Sequence, residues 1–211
     1  LHALGLEAGD PGRQGLAMAL GVKEQNLLSL VTAYAALARL GEWRPAKLVN
    51  GDGGGEIRRI WSPEASWLAI AALSRPPGRR KPALAWKTGT SWNQQDAWAI
   101  AFSPEWVVGV WCGRMRSGGG AWVSGGANAL PLALSGLSAL SEGGMASWET
   151  PEGIEYESMC AASGLMPGWR CGELVESPFS RRHPPALACS RCGPESHTNR
   201  APGVQAADAV H

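Results

Sequence analysis

The sequence predicts an α+β fold: an antiparallel sheet packed with helices, followed by a small cysteine-containing region. Three observations carry that expectation. Apolar residues recur at helical spacing in two stretches ahead of residue 75. Three short runs rich in apolar and β-branched residues then follow in quick succession, joined by brief polar links. Beyond about Gly143 both periodicities fade, prolines rise, and four of the five cysteines appear. The chain is therefore expected to divide into 1–142, a cysteine-containing region over 143–192, and a tail over 193–211. The tail is polar and alanine-rich with no core pattern, and reads as disordered.

The first helix is expected over 27–40, where Leu27, Leu30, Val31, Tyr34, Leu37 and Ala38 share one face. Asn26 can cap its start and Gly41 its end. Extended segments at 46–49 and 56–61 flank Gly51-Asp52-Gly53-Gly54-Gly55, which reads as two strands and a glycine-rich turn. A phosphate loop is not expected there, because no strand-to-helix junction with Lys-Ser/Thr follows. Ser62-Pro63-Glu64 opens a second helix that buries Trp67, Ile70, Ala71 and Ser74. Arg79-Arg80-Lys81, set among prolines and glycine, reads as a solvated loop. The strand runs cover 83–90, 97–102 and 106–111, with the spacing of an antiparallel meander. After a glycine-rich linker over 117–126, a closing helix is expected over 130–140.

Composition narrows the partners. An apolar fraction of 45% and eleven tryptophans in 211 residues suit a packed domain. A formal net charge of +1 gives no reason to expect nucleic acid or an acidic membrane surface. No stretch reaches the ~18–20 apolar residues of a membrane-spanning helix, and no signal peptide is visible. Cys112 lies in an apolar run and reads as a buried thiol. Cys160, Cys171, Cys189 and Cys192 cluster late in the chain, as disulfides or a small metal site would. Cys189-Ser190-Arg191-Cys192 and His197 give half the pattern of a zinc site, which Cys171 or His183 would have to complete. Tryptophans 86, 92, 98, 106 and 111 suit either sheet packing or an aromatic glycan-binding face. Asp96 reads as a turn residue between strands.

The segment that carries chemistry is Lys87-Thr88-Gly89-Thr90-Ser91, at the end of the first meander strand. Lys-Thr-Gly followed by Ser or Thr recurs in serine acyl-transferases acting on D-alanyl peptides and β-lactams. A strand edge beside the substrate can pair with an extended peptide and present an N–H to an oxyanion. Gly89 removes a side chain from that approach. Lys87 supplies a positive charge and supports proton transfer. Thr88 and Thr90 offer hydroxyls suited to a substrate carboxylate.

The wider sequence strengthens this reading. Trp86-Lys87-Thr88-Gly89-Thr90-Ser91, Asp96-Ala97-Trp98-Ala99-Ile100 and Val108-Gly109-Val110-Trp111-Cys112-Gly113-Arg114 resemble the transpeptidase domain of bifunctional, class A penicillin-binding proteins. Gly15-Leu16-Ala17-Met18-Ala19-Leu20-Gly21 and residues 28–41 are similar to an upstream segment of that family. Cys160-Ala161-Ala162-Ser163-Gly164-Leu165 resembles the tail of the penicillin-binding protein 1C type. The resemblance implies a peptidoglycan D,D-transpeptidase without cofactor, working through a serine acyl-enzyme on stem peptides and inhibited by β-lactams. It also implies a periplasmic location at the inner membrane, with an upstream membrane anchor and glycosyltransferase domain. In it Lys87, Thr88 and Gly89 line the cleft, the Thr90 N–H forms half of the oxyanion hole, and Thr88 and Thr90 hold the substrate carboxylate. A periplasmic domain favours a Cys160–Cys171 disulfide over a metal.

The family also needs Ser-x-x-Lys and Ser-x-Asn ahead of Lys-Thr-Gly. Leu20, Arg44, Gly78 and Leu84 stand three residues before the four lysines, so no Ser-x-x-Lys is present. Ser91-Trp92-Asn93 follows Lys-Thr-Gly and is out of order. The expectation is that both motifs lie upstream of Leu1 and that this chain alone lacks acyl-transfer activity. Alternatives are a catalytically inactive cell-wall-binding module and a D,D-carboxypeptidase or β-lactamase-type serine hydrolase.

Overall fold

The computed structural model describes residues 1–10, 12, 15, 23–49, 55–75, 78–91, 94–113, 123–142 and 144–192. The expected turn at 51–54, the 16–21 segment, Trp92, Asn93, Arg114 and the tail with His197 lie outside them. The chain forms two compact units, Leu1–Glu152 and Gly153–His211.

In the first unit, helix α1 (Leu27–Ala38) starts where Asn26 accepts a hydrogen bond from the Ser29 N–H. It ends in a turn through Leu40 and Gly41, both at positive φ. Gly41 is required there, since a Cβ would collide with the Trp61 carbonyl. Helix α2 (Pro63–Leu73) is capped by Ser62, opens on Pro63 and buries Trp67 and Ile70 completely. Between them, β1 (Glu42–Trp43) pairs antiparallel with β2 (Arg58–Arg59). The expected strand at 46–49 does not form. Leu48 and Val49 point into solvent, so that segment buries too little to pay for ordering.

The meander is β3 (Ala85–Thr90), β4 (Asp96–Phe102) and β5 (Val107–Gly113), in that spatial order and antiparallel throughout. Strand alternation gives the sheet two apolar faces. Ala97, Ala99 and Ala101 pack on Ala129, Ala133 and Leu137 of the π-turn Gly125–Ala129 and helix α3 (Leu130–Leu140). The small alanines let α3 lie close. The other face takes α1: Tyr34 meets Phe102 edge-on, and Gly109 leaves room for Leu27 and Val31. The sheet is thus covered on both sides by helices, as expected of the fold class.

The first unit continues beyond the expected boundary at 141–145. Trp148 is buried, donates its indole N–H to the Ala38 carbonyl at 2.8 Å and stacks edge-on against Phe102. The second unit carries β6 (Ile154–Cys160) and β7 (Leu174–Ser180), an antiparallel pair where no strands were expected. Its four cysteine sulfurs are unbridged and lie within 4.8 Å of one another, so Cys160 and Cys171 are neighbours, as the expected pairing requires, but not exclusive ones. Cys160 Sγ lies 3.4 Å from Cys192 Sγ and 3.6 Å from Cys189 Sγ, because the chain folds the Cys189–Cys192 segment onto the end of β6.

Candidate active site

The Lys-Thr-Gly segment forms most of β3, the edge of the meander. Register decides which of its backbone groups are available. The Ser91 N–H donates to the Asp96 carbonyl at 2.9 Å, directly across from it, so Ser91–Asp96 is a hydrogen-bonded pair. Alternation in an antiparallel ladder then makes Gly89–Trp98, Lys87–Ile100 and Ala85–Phe102 the hydrogen-bonded pairs. The amides and carbonyls of Thr88 and Thr90 consequently face out of the open edge. Leu84 shows the same parity, its outward carbonyl accepting from the Arg75 N–H at 3.1 Å. That contact and the Ser74–Ala85 bridge close the edge at its start. Among the described residues, no strand pairs with the edge from Trp86 to Thr90.

The side chains divide between the faces. Lys87 and Gly89 share the α1 face with Ile100 and Trp98, while Thr88 and Thr90 share the α3 face with Ala99 and Ala97. Lys87 is exposed and its Nζ donates to the outward Thr88 carbonyl at 2.5 Å. Gly89 meets only Trp98 Cβ, at 3.7 Å from an added Cβ, which is ordinary contact. Packing among the described residues therefore does not require glycine there, and the missing side chain leaves the edge open to an approaching backbone.

Two residues outside the motif hold this strand. The Gly125 N–H donates to Thr90 Oγ1 at 3.1 Å. A Cβ on Gly125 would lie 2.6 Å from the Gly89 carbonyl and 2.8 Å from that of Trp98. Gly125 falls within the expected glycine-rich linker, and its position just ahead of the closing helix is the signal the sequence offers. Asp96 accepts from the Trp111 indole N–H at 3.0 Å, and its own N–H bonds Ser91 Oγ. It closes the turn, as expected, and Trp98 and Trp111 pack together beside it with ring centroids 6.2 Å apart. Trp86 packs on the alanine face beneath Arg75, so these tryptophans serve the sheet; Trp106 stands exposed at the far turn.

Gly125→Ala should cost about 1–3 kcal/mol by overpacking against immobile backbone. Gly89→Ala, with room for its Cβ, should leave stability unchanged or slightly raised. Thermal denaturation of the two variants measures the difference; equal losses would contradict the contact distances.

An open-edged Lys-Thr-Gly strand on a helix-covered meander defines the class: the penicillin-binding transpeptidase fold. No family model matches the chain. Penicillin-binding protein 1C of Escherichia coli (strain K12) is 36% identical over 102 residues, covering 44% of this chain and 13% of the relative. Penicillin-binding protein 1A of Aquifex aeolicus (strain VF5) is 35% identical over 136 residues, covering 54% and 18% respectively. The crystal structure of penicillin-binding protein 1A from Haemophilus influenzae superposes with a TM-score of 0.60 at 16% identity. That match covers 82% of this chain and 34% of the other, and shows the fold. Over the matched segments the chain is similar to class A penicillin-binding proteins, and it spans less than a fifth of the curated relatives it matches.

Proposed function

We propose that the chain supplies one wall of the acyl-transfer site of a peptidoglycan D,D-transpeptidase. The observation that supports this is the open edge of β3, with the Thr88 and Thr90 backbone groups turned outward beside Gly89. A stem peptide laid along that edge adds a strand, and its scissile carbonyl meets the Thr90 N–H. A serine Oγ attacks the D-Ala–D-Ala carbonyl, the terminal D-alanine leaves with the proton, and an ester remains. The amine of a second stem peptide then displaces the serine and forms the cross-link. Lys87 places its cation beside the serine, and the Thr88 and Thr90 hydroxyls bind the substrate carboxylate. β-Lactams acylate the same serine.

The serine and its lysine come from a Ser-x-x-Lys outside this chain, along with the Ser-x-Asn loop. The location is the periplasmic face of the inner membrane, through an anchor in the whole protein. Among the described residues no helix is long and apolar enough to cross a membrane. The identity to the 1C protein and the Cys160 to Leu165 segment support the 1C type.

Fluorescent penicillin tests the reading. The whole protein should label covalently on its upstream serine, and this 211-residue chain should not. Labelling of the chain alone would show that it holds its own nucleophile; an unlabelled whole protein would remove the enzyme reading.

A further inference from the structure

The second unit has almost no core. Its buried apolar side chains, among the described residues, are Ile154, Met159 and Cys160, while Trp169, Leu174, Val175 and Leu187 are exposed. A two-stranded ribbon is marginal in water by itself, and units this small are normally held by disulfides or a metal. What the unit has at its centre is sulfur.

The fold brings four cysteines together from three places. Pairing of β6 with β7 sets Cys160 opposite Leu174, and the Ala161 N–H donates to the Glu173 carbonyl, so Cys171 returns beside Cys160. The Met166 N–H bonds the Leu187 carbonyl and the Cys189 N–H bonds the Met166 carbonyl, which delivers Cys189-Ser190-Arg191-Cys192 to the same point. All four Sγ atoms lie within 4.8 Å of one another. A zinc ion with Zn–S bonds of about 2.3 Å needs a tetrahedron of sulfurs about 3.8 Å apart. The separations of 3.4 Å and 3.6 Å to Cys160 approach that edge, and a covalent S–S bond of about 2.05 Å is far shorter. Hydrogen bonds also converge on the sulfurs: the Gly168 N–H donates to Cys171 Sγ at 3.3 Å, and Ser163 and the Cys192 backbone bond Cys189. Donors of that kind orient thiolates and offset their charge in tetrathiolate centres.

We propose that Cys160, Cys171, Cys189 and Cys192 form a closed structural zinc site that replaces the missing apolar core of the second unit. With every position filled by protein, the ion has no coordination site for substrate, so the role is stability and not catalysis. The site is independent of the acyl-transfer reading. Among the described residues it leaves His183 out of the ligand set, because four sulfurs complete the site.

The test uses the whole 211-residue chain. Metal analysis after dialysis should find one zinc per chain. Four thiols should resist a thiol reagent until a chelator removes the metal, with Cys112 as the fifth, independent thiol. Cobalt in place of zinc should give the intense thiolate-to-cobalt absorption of a tetrahedral sulfur site, a readout that needs no variant. Cys171→Ser and Cys189→Ser should each lose the bound zinc. A zinc-free chain lighter by four hydrogens, its cysteines in two disulfides, would overturn the proposal. So would four reactive thiols with no retained metal.

Discussion

Thr90→Pro in the whole protein should slow acylation by fluorescent penicillin by roughly 10²–10³-fold, the usual cost of one oxyanion donor, while the domain stays folded. The reason lies in the ladder parity. Thr90 turns its N–H out of the sheet, so proline there breaks no bond to β4. Gly89, just before it, is already extended within β3, the conformation that a following proline favours. Gly89→Pro is the contrasting variant. Its N–H belongs to the pair with Trp98, so it loses a ladder bond and should lower the melting temperature. Thr90→Val separates the hydroxyl from the amide: it removes the hydrogen bond from the Gly125 N–H but keeps the outward N–H. If Thr90→Pro unfolds the domain while Gly89→Pro does not, the parity assigned to β3 is reversed. If Thr90→Pro acylates normally, this edge does not hold the oxyanion.

That prediction marks how far the sequence reached. Lys87 to Thr90 were legible as a motif, and the three runs around them were legible as strands because short polar links bound each one. Both helix starts were legible too, since Asn26 and Ser62 cap by a local hydrogen bond that needs no tertiary partner. Which amides face outward was not legible, because it depends on the Ser91–Asp96 pair and therefore on register. Gly125 was hidden for a related reason: its constraint is contact with β3 and β4, distant in sequence. The β6–β7 pair was missed because Pro178 interrupts the second strand and both strands expose much of their length. The alternation Ile154-Glu155-Tyr156-Glu157 was the signal that could have revealed it. The convergence of all four cysteines depends on pairings that the sequence does not show, which is why the sequence reading favours a Cys160–Cys171 disulfide over a metal.

The boundary near residue 142 has the largest consequence for stability. Trp148→Ala should destabilise the first unit by about 3–5 kcal/mol. At about 2–4 °C per kcal/mol for a unit of this size, the melting temperature should fall by roughly 10 °C. Trp148 fills the space between α1 and the α1 face of the sheet, against Phe102, and its N–H satisfies the carbonyl of Ala38, the last residue of α1. Truncation leaves both a cavity and an unpaired carbonyl at a helix end. Trp148→Phe keeps most of the ring and loses the hydrogen bond, so it should cost much less, about 1–2 kcal/mol. Chain ends sharpen the comparison. A version stopping at residue 152 retains the Lys81–Glu149 ion pair, the bond from Thr150 to the Arg80 carbonyl, and Trp148 itself. One stopping at residue 142 loses all three. The ion pair is exposed and adds little, so nearly the whole difference between the two should equal the Trp148→Ala loss. Equal stability for the two lengths would mean that the 144–152 segment is not part of the first unit's core.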